Sequence, residues 1–166
     1  MVKVILLGPM GAGKSTLGKI LSQDLKWPYF DNDVEITTTY GLSEKEVSQL
    51  PVEKLHALET QYLRDVLGRP DSFISGAAAS VIDNEENRLL LNSVFSVYLR
   101  LPIEMIIERA GSSGVGRQVL QDAGTDILIE RFNRRDPLYR AASKLVVELS
   151  DSPSKDAEVI KRAILS

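Results

Sequence analysis

A chain of 166 residues is long enough for one domain with a sizeable core, and 43% hydrophobic against 26% charged residues is the balance of a folded globular protein rather than a disordered one. Twenty Lys and Arg against 23 Asp and Glu leave a net charge of −3 with no basic run, so nucleic acid is not an expected partner. The lack of cysteine excludes disulfides, thiolate zinc sites and a cysteine nucleophile, and no apolar run approaches the ~18 residues of a membrane span, so a cytoplasmic protein with no membrane partner is expected.

Short apolar runs alternate with longer periodic segments, the pattern of an α/β protein built on a parallel sheet. Val2–Leu7 reads as a buried first strand, and Gly8-Pro9-Met10-Gly11-Ala12-Gly13-Lys14-Ser15-Thr16 follows it directly. This is G-x-x-x-x-G-K-[ST] between a strand and a helix, the context the motif requires. The helix runs from Lys14 to about Leu25 with Leu17, Ile20, Leu21 and Leu25 on one face. Pro28-Tyr29-Phe30 is a short second strand ending at Asp31. Short helices are expected from Val34 to about Leu50, broken at Gly41, with Ser43-x-x-Glu46 as a capping box. Val52–Leu67 is a helix whose Val52, Leu55, Tyr62, Leu63 and Val66 share a face. Further strands are expected at 72–75, 93–99 and 145–149, and further helices from about Asp83, Ile103 and Asp122. The last helix starts near Pro153 and is expected to bury Val159, Ile160, Ala163 and Ile164. The whole chain, 1–166, reads as a single three-layer domain.

The loop's glycines let backbone N–H groups close around phosphate oxygens, and the following helix N-terminus adds its partial positive charge. Lys14 can bridge the β- and γ-phosphates and the Ser15 hydroxyl can bind Mg²⁺, so ATP and Mg²⁺ are the expected cofactors. Gly11, Ala12, Gly13, Lys14, Ser15 and Thr16 form the nucleotide-binding set. In an open parallel sheet ligands sit at the carboxyl ends of strands, which singles out Asp31-Asn32-Asp33 and Gly76-Ala77-Ala78. Of the two carboxylates, one can hold Mg²⁺ through water while the other orients or deprotonates an acceptor hydroxyl. The same three residues are also good turn and helix-cap chemistry. Residues 111–117, Gly-Ser-Ser-Gly-Val-Gly-Arg, read either as a surface loop or as a lid that excludes water and carries Arg117 over the phosphates. Arg131 reads as part of a solvated helix face, whereas Arg134 or Arg135 can meet an anionic substrate as a planar two-pronged donor.

Taken together, these motifs resemble the shikimate kinases, small P-loop kinases, over nearly the whole chain. The resemblance is carried by Gly8–Thr16, Phe30-Asp31-Asn32-Asp33, Leu55-His56-Ala57-Leu58-Glu59, Gly76-Ala77-Ala78, Arg117 and Arg135-Asp136-Pro137-Leu138-Tyr139. It implies a three-layer P-loop kinase fold, with an acceptor-binding segment at about 33–62 and a short lid at about 111–123. It also implies a monomer that transfers the γ-phosphoryl group of ATP to a hydroxyl of the small molecule shikimate. Lys14, Asp33 and Arg117 would be catalytic, with Ser15 and Asp31 serving Mg²⁺. Asp33, His56, Gly76, Ala77, Ala78 and Arg135 would face the acceptor, and Arg109 and Pro153 would flank adenine.

Two departures from the family pattern stand on the acceptor side. His56 occupies the place of an arginine that grips the substrate carboxylate, and it offers no two-pronged contact. Glu59, without that arginine, is expected to be solvated; His56 itself is equally readable as a surface residue. Ala77-Ala78 replace glycines, so their methyls are expected to crowd the acceptor or select a different one. The alternatives are a kinase of another small polyol or hydroxy acid, or a nucleotide-binding module without kinase activity.

Overall fold

The computed structural model describes residues 1–112 and 124–166. A five-stranded, all-parallel sheet of order β2-β3-β1-β4-β5 is formed by β1 (Lys3–Leu7), β2 (Tyr29–Phe30), β3 (Phe73–Gly76), β4 (Phe95–Arg100) and β5 (Leu145–Glu148). Helices cover both faces: α1 (Lys14–Leu25), α2 (Asn32–Tyr40), α3 (Glu44–Ser48), α4 (Val52–Leu67), α5 (Glu85–Asn92), α6 (Ile103–Ser112), α7 (Asp126–Ala142) and α8 (Pro153–Leu165), with a 3₁₀ turn at Ala79–Asp83.

The central strand explains the layering. Val4, Ile5, Leu6 and Leu7 are all fully buried, as a strand sandwiched on both faces must be. Because successive side chains alternate, Ile5 and Leu7 join Leu63, Val66, Leu91 and Tyr139 on one side. Val4 and Leu6 join Leu17, Leu21, Ala157 and Ile160 on the other. One layer is therefore built from α4, α5 and α7, and the other from α1 and α8.

The expected elements are present, with shifts at their ends. Gly41 terminates α2 and Ser43 forms a capping box with Glu46 ahead of α3. Asp83 closes the 3₁₀ turn, and Asn84 rather than Asp83 caps α5. The expected start of α7 at Asp122 lies outside the described residues. Val52 and Val159 are exposed, not core. Val52 sits in the first turn of α4 and lines a cavity instead of packing into the layer; Val159 is rotated off the stripe set by Ala157 and Ile160. Among the described residues, no helix is long and apolar enough to cross a membrane.

One contact ties α1 to β2. A Cβ at Gly18 would lie 2.2 Å from the Tyr29 ring. Gly18→Ala is therefore expected to destabilise the protein by roughly 1–3 kcal/mol, because overpacking outweighs the better helix propensity of alanine. Urea unfolding checks this: an unchanged or raised midpoint would mean that Tyr29 moves aside freely.

Candidate active site

The phosphate loop leaves β1 at the carboxyl edge of the sheet. Gly13 has φ +89° and occupies the N-cap of α1, so no side chain caps the first-turn N–H groups. Gly8 has φ +151°, and a Cβ there would meet the Leu99 carbonyl of β4 at 2.8 Å. The loop thus keeps a close approach to the neighbouring strand while presenting backbone donors. Lys14 folds back over it, its Nζ donating to the carbonyls of Gly8 (2.6 Å) and Pro9 (3.1 Å). Burial pushes its ammonium down to about 8, against the pull of Asp33, Asp31 and Glu59.

Asp31 takes the helix-cap part that the sequence also allowed, and it reaches the phosphate loop as well. Its Oδ1 caps α2, accepting from the backbone N–H groups of Asp33 (3.0 Å) and Val34 (3.4 Å). Its Oδ2 accepts from the Ser15 hydroxyl at 2.5 Å and from the Tyr29 hydroxyl at 3.4 Å. A hydroxyl and a carboxylate oxygen at the foot of a phosphate loop form a hard-oxygen donor set. They suit a small divalent cation that takes its remaining ligands from water and phosphate. Asp33, relieved of capping, is exposed in the first turn of α2 and accepts from the Asn32 side-chain amide at 3.2 Å.

A cavity of about 640 Å³ runs without interruption from this loop to α4 and α7. Gly11–Thr16, Asp31, Asp33, His56, Gly76, Ala77, Ala78 and Arg135 all line it, so the topology gathers most of the expected site residues. Arg109 and Pro153 do not. Arg109 hydrogen-bonds the Gly11 carbonyl from the last turn of α6, and Pro153 is exposed at the start of α8. Arg117 lies outside the described residues, as does most of the segment read as a lid.

Three expectations are corrected. Arg131 is half-buried in the cavity wall rather than on a solvated face. Glu59 is not solvated: it is half-buried and accepts from Ser80 Oγ at 2.8 Å. Burial raises its pKa, while the Ser80 bond and the His56 and Arg135 charges pull the other way. Finally, neither Ala77 nor Ala78 sits at positive φ. Ala77 belongs to the buried cluster with Ile5 and Leu7, so the core takes up its methyl, while the half-buried Ala78 packs against that cluster and still lines the cavity. The tight position is Gly76, where a Cβ would lie 3.1 Å from the Tyr29 hydroxyl.

Arg134 and Arg135 part company. Arg135 lines the cavity and makes two parallel bonds to Asp83, Nε to Oδ1 at 3.1 Å and Nη2 to Oδ2 at 2.8 Å. Arg134 lies outside the cavity wall, bound to Asp83 Oδ1 at 2.7 Å and to Glu130 at 2.9 Å. Partial burial works against the Asp83 carboxylate, yet the two arginines hold it below its ordinary pKa. Sequence reasoning also passed over Asp136, although it lies within the quoted Arg135–Tyr139 motif. Its carboxylate accepts from the Tyr98 hydroxyl (2.7 Å), Arg100 Nε (3.0 Å) and Arg140 Nε (3.2 Å). Tyr139 stacks on Tyr98 at 4.7 Å and donates to the Ala79 carbonyl at 2.7 Å. These contacts fasten α7 over β4 and the 3₁₀ turn, and so fix where Arg135 stands.

The shikimate kinase family profile matches residues 10–165. The chain belongs to the shikimate kinase family. It is 32% identical over 162 residues to the shikimate kinase of Neisseria gonorrhoeae, covering 96% of this chain and 95% of that one. It is 34% identical over 146 residues to that of Chromohalobacter salexigens, covering 87% and 81%. The shikimate kinase from Acinetobacter baumannii in complex with shikimate superposes with a TM-score of 0.85 at 28% identity, covering 99% of this chain and 93% of that one. A gluconokinase from Sinorhizobium meliloti shares the fold alone, with a TM-score of 0.60 at 12% identity. Membership of the shikimate kinase family makes the chain a phosphotransferase acting on a hydroxyl, dependent on ATP and a divalent metal. It also accounts for the five-stranded parallel sheet with helices on both faces.

Proposed function

We propose that this chain transfers the γ-phosphoryl group of Mg·ATP to a ring hydroxyl of shikimate, acting as a cytoplasmic monomer. The observation that carries this reading is the single cavity joining the phosphate loop to a base, Asp33, and a planar cation, Arg135. Its 640 Å³ is of the size that encloses a small ligand. The relatives named above are shikimate kinases, and the Acinetobacter enzyme was solved with shikimate bound.

In this reading the loop N–H groups and Lys14 hold the phosphates, with Ser15 and Asp31 holding the cation. When bound, Mg²⁺ neutralises charge on the phosphate oxygens. Arg135 takes the acceptor carboxylate two-pronged, which turns a ring hydroxyl toward Asp33. Asp33 accepts the hydroxyl proton as the oxygen attacks phosphorus. Arg117, assigned to the phosphates, and Arg109 and Pro153, assigned to adenine, rest on the family resemblance.

His56 is exposed on the cavity wall, where an arginine would add a guanidinium to those of Arg131 and Arg135. His56→Arg is expected to lower the KM for shikimate roughly 10-fold, the worth of one charge-assisted bond, with the KM for ATP within about twofold. Steady-state kinetics on both proteins test this, and unchanged values would place His56 outside acceptor binding. The exposed histidine also favours a second reading, a kinase of another small polyol or hydroxy acid. Turnover of quinate or gluconate with none of shikimate at millimolar concentration would replace the first reading with this one.

A further inference from the structure

Arg135 and its partner Asp83 line different spaces. Arg135 lines the inner cavity, whereas Asp83 does not; Asp83 lines an adjoining groove of about 560 Å³ that meets the cavity at His56 and Ser80. Asp83 meets the guanidinium along one edge only, through Nε and Nη2. A guanidinium has a second edge, formed by Nη1 and the other hydrogen of Nη2, which can still meet a carboxylate with two parallel bonds.

We propose that Asp83 is a positioning residue for the acceptor: it fixes the plane of Arg135 so that the free edge faces the inner cavity. The proposal rests on the reading of Arg135 as the carboxylate clamp, and it adds a residue that acts through that clamp without touching the substrate.

Three observations set this apart from an ordinary surface ion pair. First, the Arg135 side chain is only 14% exposed and Asp83 31%, against 44% and 58% for the neighbouring Arg134–Glu130 pair, so solvent screens the inner pair less. Second, the chain of contacts Glu130–Arg134–Asp83–Arg135 contains two acids and two bases. Arg135 thus sits in a neutral network, and its grip on an anion depends on alignment more than on surplus positive charge. Third, Asp83 ends the same 3₁₀ turn whose first residue, Ala79, accepts from the Tyr139 hydroxyl. Two contacts on adjacent turns of α7, Arg135–Asp83 and Tyr139–Ala79, join that helix to the turn following Gly76-Ala77-Ala78. The clamp is thereby held in register with the opposite wall of the acceptor space.

Asparagine at position 83 keeps the shape but turns an amide N–H₂ toward one guanidinium N–H, so the edge-on pairing is lost. Shikimate binding, measured by calorimetry in the presence of a non-hydrolysable ATP analogue, is expected to weaken roughly 10-fold in Asp83→Asn. The KM for ATP should stay within about twofold and kcat within about threefold. Arg135→Ala should weaken shikimate more, and adding Asp83→Asn to it should cause no further loss. The carboxamide of shikimate, which lacks the charge, should bind parent and Asp83→Asn alike.

An Asp83→Asn protein that binds shikimate like the parent, while Arg135→Ala does not, overturns the proposal and leaves the clamp reading standing. An Asp83→Asn loss that persists undiminished in the Arg135→Ala background also overturns it, making Asp83 a structural residue. Undiminished binding by Arg135→Ala removes the clamp reading, and this inference with it. Should Asp83→Asn fail to fold, Asp83→Glu keeps the charge but displaces it by one methylene. It is then expected to keep the parent melting temperature and still weaken shikimate about threefold, and parent-like binding by it overturns the proposal.

Discussion

Asp33→Asn is expected to lower kcat by about 10²- to 10⁴-fold, the range for loss of a positioned general base, with a much smaller change in the KM for ATP. For the helix itself the substitution is unusually clean for an acid in a first turn. Asp31, not Asp33, supplies the cap of α2, so the helix keeps its terminus. The contact from the Asn32 amide at 3.2 Å goes to an Oδ1 that asparagine retains. What disappears is the charge, which helps to keep the buried Lys14 protonated and whose interaction with the helix N-terminus is worth about 0.3–1 kcal/mol at an exposed site. Denaturation should therefore report a small stability change beside a large kinetic one. If kcat stays within threefold of the parent, Asp33 is not the base, and the reaction relies on positioning alone. A loose transition state would permit that, because the hydroxyl proton then departs late.

The separation of roles between Asp31 and Asp33 was only half legible in the sequence. Two carboxylates two residues apart after a strand fit both a catalytic pair and a cap, and composition cannot decide between them. The backbone decides it, since Asp31 has extended φ/ψ at the start of α2 and Asp33 lies inside the helix. Elsewhere the sequence was a good guide for a physical reason. β1, α1 and α4 carry strong apolar patterns, and Gly8–Gly13, Gly41 and Gly68 flank or end the first helices, so their limits fell close to those expected.

The failures share a cause. Val52, Val159, Arg131 and Glu59 were judged from their own helix, yet burial depends on what lies opposite. Arg131, Glu59 and Val52 line the cavity, whereas Val159 is rotated off its stripe. Asp83 shows the limit most sharply. It lies in an acidic stretch, Asp83-Asn84-Glu85-Glu86, where nothing local distinguishes it, and its partner Arg135 is 52 residues away. Only the 3₁₀ turn brings that one acid under α7. Ala77 makes the converse point: its glycine-to-alanine change looked like crowding of a ligand, but ordinary φ and a buried place in the core accommodate it.

The other large effect is expected at Lys14. Lys14→Met should lower kcat/KM for ATP by about 10²- to 10³-fold, the penalty for removing one preorganised charge donor at a site of developing negative charge. Folding should not suffer. The ammonium is the desolvated partner, its pKa pushed down to about 8 by burial, and an apolar side chain of similar length avoids that penalty. The same depression gives a pH signature. A lysine with a pKa near 8 is mostly charged at pH 7 and mostly neutral at pH 9, so its contribution is present below about 8 and lost above it. Because kcat/KM reports the free protein, its value for ATP should fall roughly 10-fold between pH 7 and 9. Lys14→Met should lose this limb. Lys14→Arg, weakened because its fork fits the loop poorly, should hold its residual activity flat across the same range, since guanidinium stays charged. A parent profile that is flat to pH 9 would mean that Asp33, Asp31 and Glu59 outweigh burial and keep the lysine protonated. A limb that persists in Lys14→Met would assign the titration to another group.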